Sequence, residues 1–255
     1  MPADPPQPVL VTAAVLVIGN EILSGRTQDT NLAYLAKKLN GYGIQVREAR
    51  VVADVQHDIV DAVNALRARY DYVFTTGGIG PTHDDITADC IAAAFGVDLV
   101  ISPEIAALIQ RRPAPPEIME ARMRMARIPR GGGLIDNPLG PPGFFIDNVY
   151  VMAGIPRVMQ QMIDSLEGQL RRGATVRSRS VTVHLSEGQV ARRLREIQDA
   201  HPHIDLGSYP FYRDDRYGTT LVMRGTDEAA LDTMLASVLQ MIVDLGGEPL
   251  DLQRG

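Results

Sequence analysis

The sequence predicts an α/β protein: a three-layer domain with a mostly parallel sheet, followed by a small C-terminal α/β domain. Short apolar runs that favour strands alternate with longer segments of helical periodicity over the first two thirds of the chain. The 255 residues are 45% hydrophobic, which is enough to fill one large core or a larger and a smaller one. Alternation of this kind places helices on both faces of a parallel sheet.

Local patterns justify each element of the larger domain. Short apolar runs predict strands over residues 13–18, 44–52, 73–76 and 149–152. Helical spacing predicts helices over residues 31–39, 58–68, 88–95, from 103 to the break at 112–116, 117–126 and 156–170. Gly41 and Gly43 end the first helix, and Ser102 before Pro103 caps another.

The pattern changes after the segment 171–174, Arg-Arg-Gly-Ala. Strand-like runs at 180–185 and 218–224 and helical segments at 187–200 and 226–245 predict a unit of strand-helix-strand-strand-helix character. We therefore expect domains over residues 13–172 and 175–255. The first residues, MPADPPQPVL, lack a secretion signal, and we expect residues 1–12 to form a disordered tail.

The segment Thr75–Thr87, TTGGIGPTHDDIT, is the most informative part of the chain. Its three glycines, at 77, 78 and 80, allow positive φ angles and bring backbone amides against an anionic ligand. Asp84 and Asp85 place two carboxylates beside that turn, which would repel a phosphate unless a divalent cation lies between them. The pattern indicates metal-assisted chemistry on a phosphate or pyrophosphate. The alternative is a tight turn whose Asp residues cap a helix.

Topology predicts that three separated groups converge on one crevice. The segment 19–24 follows the first strand, Asp54 follows the second, and the glycine motif follows the third. The carboxyl ends of parallel strands meet at one edge of a sheet, where ligands bind. Asn31 as an early polar residue of its helix, and Asp54 as a cap for the helix at Asp58, are the competing interpretations.

Three stretches together resemble a known family. The motif TTGGIGPTHDDIT, the segment Gly19–Gly25 (GNEILSG) with Asp29-Thr30-Asn31, and the segment 137–144 (NPLGPPGF) occur in the order typical of molybdopterin-binding, or MoCF, domains. The variant is that of the N-terminal part of competence/damage-inducible protein A (CinA). The resemblance covers residues 13–165, and the later residues resemble the small domain that follows in CinA-like proteins. We expect the deamidase domain of full-length CinA to be absent.

The resemblance implies an enzyme. CinA-like members are associated with metal-dependent hydrolysis of nucleotide pyrophosphates such as ADP-ribose, and similar domains with hydrolysis of FAD. It implies Mg²⁺ or another divalent cation held by Asp85 with Asp54 or Asp84, and possibly by Glu21. Two alternatives stay open: transfer of an adenylyl group to molybdopterin, and a non-catalytic module that binds a pterin or nucleotide.

The resemblance also implies individual site residues. It assigns catalysis to Asp85 and Asp54 and metal binding to Asp84 and Asp85. Ligand contacts are expected from Gly19, Asn20, Glu21, Ser24, Asn31, Thr76, Gly77, Gly78, Gly80, Pro81, Thr82, Thr87, Asn137 and Gly143. The sequence departs from the family pattern in the 137–144 loop and where Met152–Arg157 (MAGIPR) replaces the usual Leu-Pro-Gly-Val-Pro.

Charge and composition exclude other classes. The net charge of −6 argues against a nucleic-acid partner, and no apolar run is long enough for a membrane span. Six arginines crowd into residues 111–130, either as a phosphate-binding patch or as solvated helix faces. The single Cys90 is expected to be a buried structural thiol. We expect a cytoplasmic protein that forms homo-oligomers, as MoCF relatives commonly do.

Overall fold

The structure, a computed structural model, describes residues 9–213 and 215–255. These residues form two compact units, Val9–Gly173 and Ala174–Gly255. No helix within the described ranges has both the length and the apolar composition needed to cross a membrane.

The larger unit alternates strands and helices as the sequence predicts. Its strands are β1 (Val11–Ile18), β2 (Ile44–Val52), β3 (Tyr72–Thr76), β4 (Leu99–Ile101), β5 (Arg127–Pro129), β6 (Gly133–Ile135), β7 (Gly143–Ile146) and β8 (Val149–Met152). Its helices are α1 (Asn20–Leu23), α2 (Asn31–Gly41), α3 (Gln56–Arg67), α4 (Thr87–Phe95), α5 (Pro103–Gln110), α6 (Pro116–Met123) and α7 (Pro156–Ser165). A 3-10 helix, Arg124–Ala126, follows α6 directly.

The central sheet has the strand order β2-β1-β3-β8-β7-β6. The first four strands are parallel, while β7 and β6 add an antiparallel edge. Alternate residues of β1 face opposite sides: Leu16 packs with the core beneath α3, α4 and α5, and Val15 with the core beneath α2 and α7. This arrangement confirms the predicted three-layer α/β fold with a mostly parallel sheet. Cys90 is buried in the first core, and burial raises the pKa of its thiol to about 11.

Two sequence-based boundaries and one unpredicted hairpin separate the sequence prediction from the structure. Residues 1–8 of the predicted disordered tail lie outside the described residues, but Val11 and Thr12 belong to β1. Thr12 donates its backbone N–H and its hydroxyl to Asp71 Oδ2, at 2.8 and 3.0 Å, which ties the start of β1 to the start of β3. Helix α7 ends at Ser165 rather than near residue 170. The β6–β7 hairpin was not predicted, because its strands are only three and four residues long.

The smaller unit consists of β9 (Arg177–Val183), α8 (Glu187–Ala200), β10 (Asp205–Arg213), β11 (Arg216–Gly225), α9 (Glu228–Asp244) and β12 (Pro249–Arg254). The predicted element order is present, with β12 added after it. The antiparallel sheet has the order β10-β11-β9-β12. Its core is formed by one sheet face with α8 and α9, including Val181, Leu221 and Val238. Helix α8 begins with a capping box between Ser186 and Gln189.

Candidate functional site

The loop after β3 needs glycine at two positions. Gly77 has φ 107° and Gly78 has φ 66°, values that side chains rarely allow. A Cβ on Gly77 would lie 2.1 Å from the Ile18 carbonyl oxygen at the end of β1. A Cβ on Gly78 would lie 2.2 Å from the hydroxyl of Thr87. The loop therefore packs directly against the backbone of β1 and the first turn of α4.

The hydrogen bonds of this loop decide which amides remain for a ligand. Gly77 donates its N–H to the Met152 carbonyl at 3.1 Å, so this amide is already used. Thr87 fixes the loop from the other side: its hydroxyl donates to Gly77 O and its N–H to Gly78 O, both at 3.0 Å. Within the described residues, the amides of Gly78, Ile79 and Gly80 have no protein acceptor. These three amides are therefore the ones left in the loop for a ligand, and the Gly77 amide, which was also predicted to bind it, is not among them.

Asp84 and Asp85 have different surroundings. Asp85 Oδ2 accepts hydrogen bonds from both the N–H (2.8 Å) and the hydroxyl of Thr82, which closes the turn between these residues. The side chain of Asp84 is 61% exposed beside the exposed His83. Helix α4 has Ile86 at its N-cap position and no side-chain cap. The alternative that these aspartates cap the helix is therefore wrong.

Asp54 holds the segment that follows β1. Its Oδ2 accepts the Asn20 N–H at 2.8 Å, at the start of α1. It does not cap α3, because the N-cap of that helix is Val55. Burial raises the pKa of Asp54, and the neighbouring charges of Glu21, Asp84 and Asp85 add to this rise against the lowering effect of the Asn20 hydrogen bond. Four carboxylates therefore gather at the ends of β1, β2 and β3.

A cavity of about 600 Å³, here called the site cavity, lies beside the glycine loop. Seven of the predicted site residues line it: Glu21, Gly77, Gly78, Gly80, Pro81, Asp85 and Asn137. Apolar side chains complete its wall, among them Ile79, Phe144, Val158 and Met162. This combination of polar groups and an apolar wall suits a ligand with both a polar part and an apolar ring.

The other predicted residues do not line the site cavity. They are Gly19, Asn20, Ser24, Asn31, Asp54, Thr76, Thr82, Asp84, Thr87 and Gly143. Several of them support the residues that do: Thr82 binds Asp85, Thr87 binds the glycine loop, and Asn31 donates to the Gly154 carbonyl at 2.8 Å. Thr76 and Gly143 are buried in β3 and β7, and the Ser24 hydroxyl donates to the Glu21 carbonyl at 3.2 Å.

Two arginines of the site cavity were missed as site residues. Arg124 and Arg127 both line it, and each has a buried Nε without a hydrogen-bond partner among the described residues. Arg124 Nη2 lies 3.5 Å from the Asp85 carbonyl oxygen. Arg127 donates twice to Asp89, at 3.1 and 2.9 Å. The crowding of arginines over residues 111–130 was the available signal, but it did not identify which side chains face the cavity.

The carboxylates of the site could bind a metal ion only through oxygen atoms, the ligand type that Mg²⁺ and similar hard cations prefer. Within the described ranges, no three His, Cys, Asp or Glu side chains are grouped as a ready-made metal site. Two carboxylates, from Glu21 and Asp85, reach the cavity itself. This pair fits the common mode of Mg²⁺ binding, in which one or two carboxylates act together with ligand phosphates.

A glycine loop and carboxylates at the carboxyl ends of parallel strands define a small-ligand-binding α/β protein. Residues 14–172 match the family model described as a probable molybdopterin binding domain, and residues 175–245 match the model of the middle domain of FAD synthase. The chain therefore belongs to the molybdopterin-binding domain family, in its CinA-type form, which confirms the resemblance.

Individual relatives agree with this assignment. A protein of Archaeoglobus fulgidus is 34% identical over 197 residues, which cover 77% of this chain and 84% of the relative. A solved structure described as the protein CinA with unknown function, from Thermoplasma acidophilum, is 34% identical with a TM-score of 0.58, covering 63% of this chain and 98% of that one. A probable FAD synthase of Caenorhabditis elegans is 29% identical; the match covers 93% of this chain but 51% of that protein.

Proposed function

We propose that this chain is a divalent-cation-dependent hydrolase of nucleotide pyrophosphates such as ADP-ribose or FAD. The observation that carries the proposal is the convergence of four kinds of group on one cavity of about 600 Å³. These are the unpaired loop amides, the carboxylates of Glu21 and Asp85, the guanidinium of Arg124 and an apolar wall.

The loop and the arginine account for phosphate binding. The amides of Gly78, Ile79 and Gly80 precede α4, where backbone N–H groups and the helix dipole favour an anion. Arg124 adds a permanent positive charge on the same cavity. The adenine or flavin ring would lie against the apolar side, where Ile79 and Val158 are partly exposed.

The carboxylates account for cation binding. Glu21 and Asp85 would hold the cation, and Asp54 and Asp84 contribute negative charge close to it. Because Asp85 Oδ2 is engaged by Thr82, its other oxygen is the one left for this role. In such a site a divalent cation supplies neutralisation of the phosphate charge and activation of a water molecule.

The reaction breaks one bridging P–O bond. The oxygen of a water molecule attacks one phosphorus, the bridging oxygen leaves with the second phosphate, and the water proton passes to a carboxylate of the site. Negative charge on the attacked phosphate grows during this step. The amides of Gly78–Gly80 are placed to stabilise it, and Arg124 to neutralise the departing phosphate.

Two other functions use the same groups. The molybdopterin-binding family supports adenylyl transfer, in which a molybdopterin oxygen replaces water as the attacking group. A module that binds a pterin or nucleotide without turnover is the third. The match of residues 175–245 to the FAD synthase middle domain favours a flavin dinucleotide as the substrate of the proposed hydrolase.

A substrate panel separates these functions. The protein is incubated with one of four nucleotides, ADP-ribose, FAD, NAD or ATP, in Mg²⁺, Mn²⁺, Co²⁺ or EDTA. The ATP reaction is run both with and without molybdopterin. Products are separated by chromatography. The proposal requires metal-dependent formation of a nucleoside monophosphate from at least one diphosphate. Adenylylated molybdopterin would instead establish the transferase. Binding without products, in every metal, would overturn both catalytic functions.

A further inference from the structure

A second cavity, of about 520 Å³, adjoins the site cavity across the loop 137–142. The two cavities share the residues of this wall, namely Met125, Asn137, Leu139, Gly140, Pro141 and Pro142. Neither the glycine loop nor Glu21 or Asp85 lines the second cavity. It is therefore distinct from the part of the site cavity that holds the glycine loop and the carboxylates, and the loop 137–142 forms a wall of both cavities.

Positive charge is concentrated in this compartment. Arg111, Arg112 and Arg122 line it, against the single acid Asp136. The chain reverses between α5 and α6 at residues 113–116, and Arg122 Nη1 donates to the Arg112 carbonyl at 3.1 Å across the reversal. The fold thus brings arginines ten residues apart onto one surface.

These three arginines have no carboxylate partner within the described part of the chain. In the same arginine-rich segment, Arg127 pairs with Asp89 and Arg130 with Asp98. Arg111 and Arg112 follow the last turn of α5, and Arg122 lies in the last turn of α6, so the helix dipoles favour a cation at all three positions. The apolar residues Leu108, Ile109 and Leu139 complete the walls.

We propose that this arginine cavity binds an additional anionic group on a substrate whose pyrophosphate occupies the site cavity. The inference rests on the proposed function and narrows it to pyrophosphates that carry a further phosphomonoester or carboxylate. Guanidinium groups bind both oxyanions through paired N–H donors. Arg111 and Arg112 are exposed and have no carboxylate partner within the described residues, so their donors are accessible to such a group. The shared loop 137–142 places the two charged groups on one extended ligand.

The test compares pairs of ligands that differ by one phosphate. ADP-ribose is compared with two derivatives, one phosphorylated at the 2′-hydroxyl of the adenosine ribose and one phosphorylated at the distal ribose. Dephospho-coenzyme A is compared with coenzyme A in the same way. ADP-ribose derivatives with a carboxylate at the distal ribose report on the second oxyanion. We expect a preference of about tenfold or more in kcat/KM for the added anion in at least one pair. Which pair responds identifies the end of the ligand and the oxyanion.

The variant Arg111→Gln/Arg112→Gln should reduce this preference to about one, whereas Arg130→Gln, outside both cavities, should keep it. Equal use of both members of every pair by the unaltered protein, or a preference that survives the double substitution, would overturn the inference.

A binding experiment keeps this test independent of catalysis. Calorimetry in Mg²⁺ with methylene-bridged analogues of the same pairs, which cannot be hydrolysed at the bridge, measures affinity independently of turnover. If no pair is hydrolysed, the proposed function fails, while the calorimetric preference and its loss in the double variant still support an anion subsite. Equal affinities for the two members of every pair would reject the subsite even in an active hydrolase.

Discussion

The Asn31 side chain donates from Nδ2 to the Gly154 carbonyl oxygen at 2.8 Å and so joins the start of α2 to the loop after β8. Asn31 is only 4% exposed, and its Oδ1 has no hydrogen-bond partner among the described residues. Gly154 lines the site cavity and lies against Gly77, since a Cβ on Gly154 would be 3.3 Å from Gly77 Cα. Asn31 therefore supports the glycine loop through Gly154, and it does not itself line the site cavity.

Substitution Asn31→Ala should lower the free energy of unfolding by about 1–2 kcal/mol, because it leaves the Gly154 carbonyl without its donor. Asn31→Asp should cost more, since it places a carboxylate next to that carbonyl in a buried position. Urea denaturation followed by circular dichroism measures both. Full stability of the Ala variant would contradict the role assigned to this hydrogen bond.

Gly78 and Gly96 have nearly the same φ angle, so substituting each of them separates the cost of backbone strain from the cost of steric contact. Gly78 and Gly96 have φ 66° and 65°, but an added Cβ meets Thr87 at 2.2 Å only at Gly78, while the surroundings of Gly96 are open. Gly96→Ala should cost about 1 kcal/mol from the left-handed backbone alone. Gly78→Ala should cost clearly more and weaken ligand binding. Thermal unfolding of both variants checks this, and equal losses would show that the loop can move away from Thr87.

Local patterns predicted most of the fold. Strand β3, the glycine turn and α4 follow each other along the chain, and their glycines and apolar runs are local signals. Strand β12 was missed because its apolar alternation is limited to Leu250 and Leu252. Its pairing with β9 joins segments far apart in sequence, and all six of its residues are exposed. Pairing of that kind is set by tertiary structure.

The site was predicted less completely than the fold, and for the same reason. The sequence indicated Glu21 and Asp85 because each lies in a segment that follows a strand of the parallel sheet. Arg124 faces Asp85 only because the chain reverses at residues 113–116, and nothing in the local sequence fixes where that reversal leads. Asp54 was expected to act on the ligand or cap the helix after it, but it holds the N–H of Asn20, 34 positions earlier.

The smaller unit should be sensitive to acid through Asp232. Arg179, with a side chain only 5% exposed, donates from Nε to Asp232 at 2.8 Å. This hydrogen bond lowers the pKa of Asp232 against the opposing effect of burial. The lowered pKa gives stability that is fully present above the ordinary carboxyl pKa of about 4 and is lost as pH falls through the folded-state pKa.

Asp232→Asn should therefore be less stable than the unaltered chain at pH 7, with a difference that shrinks below about pH 4. Glu228→Gln is the matched control, because Glu228 is 61% exposed and lies 3.5 Å from Arg179, and it should have a smaller effect. Thermal unfolding of the full chain at pH 7, 5 and 3 measures both. An Asp232→Asn deficit that is equally large at pH 3 and pH 7 would rule out the charge effect.

We expect a homo-oligomer in solution. Strand β2 is an edge of the central sheet, and near it Leu23 and Val51 are 54% and 41% exposed around a shallow hollow that Arg50, Asp58 and Asp61 also line. An exposed edge of this kind favours pairing with another copy. Light scattering should give a mass above the 27.8 kDa of one chain, and Leu23→Glu/Val51→Lys should reduce it. A monomer at micromolar concentration would contradict the expectation.

Asp85 provides the decisive test of the chemistry, because its carboxylate has two separable roles. Asp85→Asn keeps the shape and an oxygen that accepts the Thr82 N–H, but removes the negative charge at the site cavity. Metal-dependent turnover should fall by a factor on the order of a hundred or more, with little change in melting temperature. Asp84→Asn is the control: its side chain is 61% exposed and does not line the cavity, so turnover should fall much less.

The turn itself is tested by Thr82→Val, which removes the hydroxyl that donates to Asp85 and leaves the charge in place. If the charge is what matters, this variant should retain most of its turnover, and only Asp85→Asn should lose it. If Asp85 only closes the turn, Asp85→Asn should be nearly silent and Thr82→Val at least as harmful. Turnover and melting temperature of the two variants, measured in the same metal and substrate, therefore decide whether the chemistry depends on this carboxylate.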